Sequence, residues 1–247
     1  MMFPADRHPL DDSHWLSQVP AAFRKDVLDL CTFRRLNDQE LTLGAEDAPG
    51  SVIGVVSGAL ALERDVPGQG FVPVWLLQEG TWRAVDGTFQ GDTRGITLRA
   101  AGPAEIVELS AMQVQRIAEA HEDGWRWFAQ ISAGQAQLAT EVSLSFMQLD
   151  GAVRMANLLL RLCRSGRADG ALMPVALAEA DLARICGLTL LALGRGLGVL
   201  AALGLVRHVN GVIEILSEPK LSAWLGPRAV PSAYAGGAAD ASNRRIA

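Results

Sequence analysis

The stretch Gly187–Val206, GLTLLALGRGLGVLAALGLV, decides how this chain is read. It is nearly all apolar or glycine, and Arg195 is the one charge between Arg184 and Arg207. About 20 apolar residues are enough for a helix to span a bilayer. The details argue against a span. Gly187-Leu188 is a turn signal and Thr189 a good N-cap, both inside what would have to be continuous helix. An Arg at the centre of a span also costs roughly 2.5–3.5 kcal/mol even on insertion scales. The stretch therefore reads as a turn followed by a helix running to about Leu203, with Leu193, Leu197, Leu200 and Leu203 inward.

On the C-terminal side, LVRHV and VIEIL flank Asn210-Gly211. Asn-Gly between two alternating runs is a strong hairpin signal, because both central turn positions need φ > 0. On the N-terminal side, LAEADLARICG (177–187) reads as a short helix with Leu177, Leu182, Ala183 and Ile185 inward. Helix, turn, helix and hairpin make a winged helix-turn-helix. Before it, Asp150 caps VRMANLLLRLCRSG, an amphipathic helix with Met155, Leu158, Leu159, Leu162 and Cys163 inward and Arg154, Arg161, Arg164 and Arg167 on its outer face.

Further upstream, residues 125–149 read as one long helix. Phe128, Ile131, Gln135, Leu138, Val142, Ser145 and Leu149 recur at 3-4 spacing over about three heptads, as a coiled-coil seam does. Ser110 is an N-cap before AMQVQRIAEAH. From about Thr32 to Leu109 the pattern is short β-type runs: VIGVVSG (52–58), ALALER (59–64), FVPVWLL (71–77), GITLRA (95–100) and AEIVELS (104–110). Gly, Pro and Asp punctuate them, as in a small barrel or jelly roll. Residues 1–30 read as a loose start and a short amphipathic helix, and the Ala/Gly/Ser/Pro-rich tail from Pro227 as disordered.

Charge divides along the same lines. Residues 1–150 hold 11 Lys/Arg against 21 Asp/Glu, and residues 151–226 hold 8 against 5, within an overall net charge of −5. An acidic front and a mildly basic back suit a sensor joined to a polyanion-binding module. Cys31, Cys163 and Cys186 match no zinc or iron–sulfur spacing and fit reduced thiols in a cytosol. The N-terminus has no apolar core of signal-peptide type, so the expectation is cytoplasmic. There is no G-x-S-x-G, P-loop or Rossmann fingerprint, and residues 51–109 contain no His, so no enzyme is expected. No metal or cofactor is indicated either.

Over residues 15–225 this order resembles the bacterial Crp/Fnr family of transcription regulators. LDGAVRMANLLLRL (149–162) is similar to that family's hinge, LAEADLARICGLT (177–189) to its first helix and turn, VRHVNGVIEIL (206–216) to its wing, and DAPGSVIGVVSGALAL (47–62) to a barrel strand pair. The resemblance implies an α+β fold: a cyclic-nucleotide-binding-like barrel with its N-terminal helix (1–124), a long dimerisation helix (125–150), a winged helix-turn-helix (151–226) and a tail (227–247). It implies a homodimer on double-stranded DNA, RNA polymerase as a further partner, and no membrane. Phe128, Ile131, Leu138, Val142 and Leu149 are then the expected dimer seam.

Thr189, Leu190, Leu191 and Arg195 fall at the family's DNA-reading positions. Thr189 keeps the cap and hydroxyl. Arg195 keeps a guanidinium able to pair with guanine, worth about 1–3 kcal/mol of discrimination. Leu190 and Leu191 replace hydrogen-bonding residues and could only touch thymine methyls, or form a protein–protein patch. Among the helix glycines, Gly194 falls at a family position that is often small, whereas Gly196 and Gly198 have no such reason. In the sensor, Arg94 and Thr140 are the only expected nucleotide contacts, without the family's Glu and hydroxyl partners, so cyclic AMP binding in the usual manner is not expected and any effector is unidentified.

Overall fold

The computed structural model describes residues 10–43, 50–85, 96–164, 166 and 172–231. Two short helices come first, α1 (His14–Ser17), which ends at Gln18, and α2 (Ala21–Leu30), with Pro20 at its N-cap position. Eight strands follow among the described residues: β1 (Thr32–Leu36), β2 (Leu41–Leu43), β3 (Val52–Ser57), β4 (Ala59–Val66), β5 (Gly70–Gln78), β6 (Trp82–Ala84), β7 (Ile96–Ala100) and β8 (Ala104–Leu109). They form two antiparallel four-stranded sheets, ordered β1-β8-β3-β6 and β2-β7-β4-β5. Buried Leu60, Leu62, Leu98, Val55 and Ile106 of these strands belong to one apolar core. Pro73 sits in β5, the edge strand of its sheet, where its missing N–H disrupts no inner ladder. The sequence pattern missed β1, β2 and β6. The last two have three residues each, too few for alternation to register.

A capping box of Ser110 and Gln113 starts α3 (Ala111–Ala120). The long helix α4 runs Gly124–Phe146, ending three residues before Leu149, which lies outside it and is 99% exposed. Gly124 is required by contact: a Cβ there would lie 2.3 Å from the carbonyl oxygen of Ala118.

The C-terminal unit consists of α5 (Gly151–Leu162), β9 (Val175–Ala176), α6 (Glu179–Ile185), α7 (Leu190–Ala202), the hairpin β10 (Val206–Val209) and β11 (Val212–Ile215), and α8 (Glu218–Leu225). Asp150 caps α5 by accepting from the backbone N–H of Ala152 and Val153. Asn210 and Gly211 at the hairpin tip have φ of 51° and 76°, the pair of positive values expected of this turn. β9 adds to β11 to complete the three-stranded wing sheet.

Two features depart from the sequence reading. Arg161 is not on a solvated face: its side chain is 4% exposed and pairs with Glu141 of α4. The segment after Pro227 does not begin irregular. Gly226–Arg228 is a 3-10 turn, and the backbone of residues 228–231 is tied to α5. Residues 232–247 lie outside the described part.

Candidate nucleic-acid interface

The decisive stretch is a bent pair of helices. Gly187 has φ +59°, a conformation that favours glycine, and its Cα faces Phe146 so closely that a Cβ would lie 2.8 Å from the ring. The chain turns there, and α6 and α7 meet at 93°. No single helix among the described residues is long and apolar enough to cross a membrane. At 13 residues, α7 is about 20 Å long, short of the ~30 Å of a bilayer core.

Thr189 caps α7, its hydroxyl oxygen accepting from the N–H of Ala192 at 3.2 Å. Leu193, Leu197 and Leu200 point inward as the spacing predicts, whereas Leu203, the residue after the helix, is 53% exposed. The opposite face carries Leu190, Leu191, Gly194, Arg195, Gly198 and Val199, all exposed. Leu190 and Leu191 are 55% and 69% exposed, an unusual state for two adjacent leucines. Arg195 stands among them as the face's one charge. It has no hydrogen bond or ion pair among the described residues, so its guanidinium is available to a ligand.

The glycines distribute differently from expectation. Gly196 is the one with a packing reason: it faces α5, where a Cβ would lie 2.8 Å from Met155 Cε. Gly194 and Gly198 have nothing within 4 Å of an added Cβ. Both open onto the face that carries Arg195, which leaves the helix backbone bare there.

The surroundings are only weakly basic. In the wing, Arg207 pairs with Glu214, and His208 lies 3.7 Å from Glu179. Arg184 of α6 is half-exposed and near Asp181. Phosphate contact thus competes with internal ion pairs at most of these positions.

Of the expected dimer seam, Phe128 and Ile131 are buried within the chain, Leu138 and Val142 are partly buried, and Leu149 is exposed. Phe128 is fully buried, with ring centroids 5.1 Å from Phe23 and 5.7 Å from Trp15. Ile131 belongs to the same cluster. Gln135 donates to the carbonyl of Ala84, and Leu138 and Val142 pack on the chain's own core. The 3-4 ladder is real, but from Phe128 to Val142 the chain's own core covers it wholly or in part. A second ladder of the same spacing, Trp125, Ala129, Ser132, Ala136, Ala139 and Ser143, lies on the outer face, and all but Ser132 are exposed. Periodicity could not choose between the two.

Of the two expected nucleotide contacts, Arg94 lies outside the described residues. Thr140 is exposed and donates its hydroxyl to the carbonyl of Ala136. Burial pushes the thiols of Cys31, Cys163 and Cys186 up to about 12. No cluster of three or more His, Cys, Asp or Glu that could hold a metal occurs among the described residues.

Spacing did not reveal a buried polar hub at the joint of α4 and α5. Arg161 Nε donates to Glu141 at 3.0 Å, Nη1 to the carbonyl of Asn157, and Nη2 to the carbonyls of Val230 and Pro231. Asn157 is fully buried. Its amide donates to the carbonyl of Arg228 and accepts from the N–H of Val230. Burial pulls the Arg161 guanidinium down from its ordinary value, and Glu141 opposes that shift.

A two-sheet barrel joined through one long helix to a winged helix-turn-helix defines the architecture. Residues 153–224 match the Crp-like helix-turn-helix domain family. Solved structures share much of this arrangement. FixK2 from Bradyrhizobium japonicum is 19% identical, over 78% of this chain and 96% of that one, with a TM-score of 0.65. The c-di-GMP responsive global regulator CLP from Xanthomonas campestris is 20% identical, over 80% and 100%, with a TM-score of 0.58. A CRP-family transcriptional regulator from Thermus thermophilus is 14% identical, over 80% and 98%, with a TM-score of 0.60. No curated protein matches the chain by sequence. The chain thus has the fold of the Crp/Fnr-type transcription regulators and carries a Crp-like helix-turn-helix domain.

Proposed function

We propose that the protein regulates transcription in the cytoplasm as a homodimer, laying α7 of each protomer into the major groove of double-stranded DNA. The observation that carries this reading is the capped α7 with Arg195 exposed on its outer face, followed in the chain by a formed wing hairpin. Thr189, Leu190, Leu191 and Arg195 lie on the face that would meet base edges. Arg195 suits a guanine, and Leu190 and Leu191 suit thymine methyls. The outer ladder of α4 supports pairing of two protomers, because its small side chains would let the helices approach closely. RNA polymerase would be met by the same assembly.

Retardation of promoter fragments tests the reading. Affinity should fall steeply with salt, because Lys and Arg displace counterions from phosphates. Arg195→Ala should cost about 1–3 kcal/mol on the preferred sequence and little on random DNA. The exposure of Leu190 and Leu191 favours a second reading, a protein–protein patch on α7. That reading prevails if no fragment is retarded and Leu190→Ser/Leu191→Ser alters an association of the protein instead.

A further inference from the structure

We propose that α7 selects the C5-methyl group of pyrimidines, so that the chain distinguishes 5-methylcytosine from cytosine as well as thymine from uracil. This selectivity rests on α7 being the helix that enters the major groove. Apart from Arg195, every exposed residue of α7 is Leu, Gly, Val or Ala. The cap Thr189 has its hydroxyl oxygen engaged by the N–H of Ala192. Within the helix, only the Arg195 side chain can therefore hydrogen-bond a base edge. The rest of the face can make apolar contact only. The major-groove edges of the bases offer donors, acceptors and a single apolar group, the methyl at C5 of a pyrimidine.

Thymine and 5-methylcytosine carry that methyl at the same ring position. They differ at C4, where thymine accepts a hydrogen bond and cytosine donates one. A leucine side chain does neither, so it registers the methyl and not the group at C4. Against a pyrimidine without the methyl, Leu190 and Leu191 would cover polar edges and leave them without partners, which is unfavourable. Against a methyl, apolar surface of both partners leaves water, which is favourable.

The shape of the face fits the same target. Gly194 and Gly198 lie in the exposed arc, and an added Cβ on either would meet nothing within 4 Å. The backbone is bare there, so the helix can approach the floor of the groove closely. Leucines need that approach, because they are shorter than the side chains that read bases by hydrogen bonds. Leu191 and Arg195 stand one turn apart, about 40° around the helix axis. Four residues rise about 6 Å, nearly two base steps of about 3.4 Å. The preferred site therefore holds a 5-methylpyrimidine within about two steps of a guanine. Methylation of a cytosine at that position supplies the group the leucine reads, so binding rises with methylation while base pairing stays unchanged.

The test uses the full chain and duplexes selected from a random-sequence library by retardation. In the tightest duplex each thymine is replaced singly by uracil, which removes one methyl and keeps the adenine partner. At least one position should lose about fourfold in affinity, the worth of one buried methyl. At that position a cytosine–guanine pair is then compared with its 5-methyl form, and the methyl should gain about fourfold. Leu190→Ser/Leu191→Ser should bind the thymine and uracil duplexes alike. Both leucines are exposed, so the variant should keep its fold, which circular dichroism checks. Leu191→Ala serves if the double variant retards nothing. Arg195→Ala should bind more weakly yet keep the preference for thymine over uracil. The proposal falls if every uracil duplex binds as well as its thymine parent, or if 5-methylcytosine binds no better than cytosine. It falls too if the leucine variants keep the full preference, which would trace it to the shape of the DNA. A chain that retards no duplex overturns the regulator reading and this selectivity together, whereas one that retards DNA and ignores the methyl overturns the selectivity alone.

Discussion

Glu141 and Arg161 meet at 3.0 Å across the joint of α4 and α5, with side chains 5% and 4% exposed. One comes from the helix that leaves the barrel, the other from the helix that begins the DNA-binding unit. Each neutralises a charge the other could not bury alone. Removing one partner should therefore cost more than removing both. Glu141→Leu should destabilise by about 3–5 kcal/mol, and Glu141→Leu/Arg161→Met should recover much of that loss. Urea unfolding of the two variants decides it. Equal losses would mean that packing, not charge, holds this joint.

Phe128 and Ala136 stand on opposite faces of α4 and should fail in different ways. Phe128→Ala empties a fully buried site among Trp15 and Phe23, so it should cost about 3–5 kcal/mol of stability. Ala136→Glu places a charge on the outer ladder, so it should yield a folded monomer at unchanged unfolding midpoint. Light scattering after size exclusion separates the two. A monomeric Phe128→Ala with unaltered stability would restore the inner ladder as the dimer seam.

The recognition helix carries removable instability. Gly198→Ala meets nothing within 4 Å and should stabilise the chain by about 1 kcal/mol through helix propensity. That corresponds to a rise of about 2–4 °C in Tm for a protein of this size. Gly196→Ala should gain less, because Met155 Cε must move aside. Calorimetry of both tests the ranking. If Gly198→Ala stabilises the fold yet weakens DNA binding, the bare backbone at Gly198 is a contact surface.

Cys31, Cys163 and Cys186 give a pH signature. Burial raises each thiol from its ordinary value to about 12, so in the folded chain they stay protonated where an unfolded chain would ionise. Their contribution to stability is complete below about pH 9 and is lost as pH rises through about 12. The native protein should react slowly with a thiol reagent at pH 8, and all three should react on denaturation. A fast native thiol would show that one of these sites opens locally.

Much of the architecture was legible because the deciding signals are local. Thr189 announces a cap, Asn210-Gly211 a hairpin and Asp150 a helix start, each through backbone chemistry a few residues wide. The low charge of the exposed α7 face was legible too, since Arg195 is the only charge in its stretch. The short strands β2 and β6 were not, because three residues show no period. Nor was the role of Gly196, which depends on Met155 in another helix.

The sequence alone settled the order of barrel, long helix and winged helix-turn-helix, the turn at Gly187 that rules out a continuous span, the caps Ser110, Asp150 and Thr189, and the inward positions Leu193, Leu197 and Leu200 of α7. These follow from dihedral preference and from 3.6- or 2-residue periods, and both act within one element. Tertiary structure alone decided which face of α4 is filled, since two ladders of equal spacing wrap the same helix. It also decided that Glu141 and Arg161 form a buried pair. Each of these depends on surfaces distant in the chain being brought together, and such contacts leave no period in the sequence.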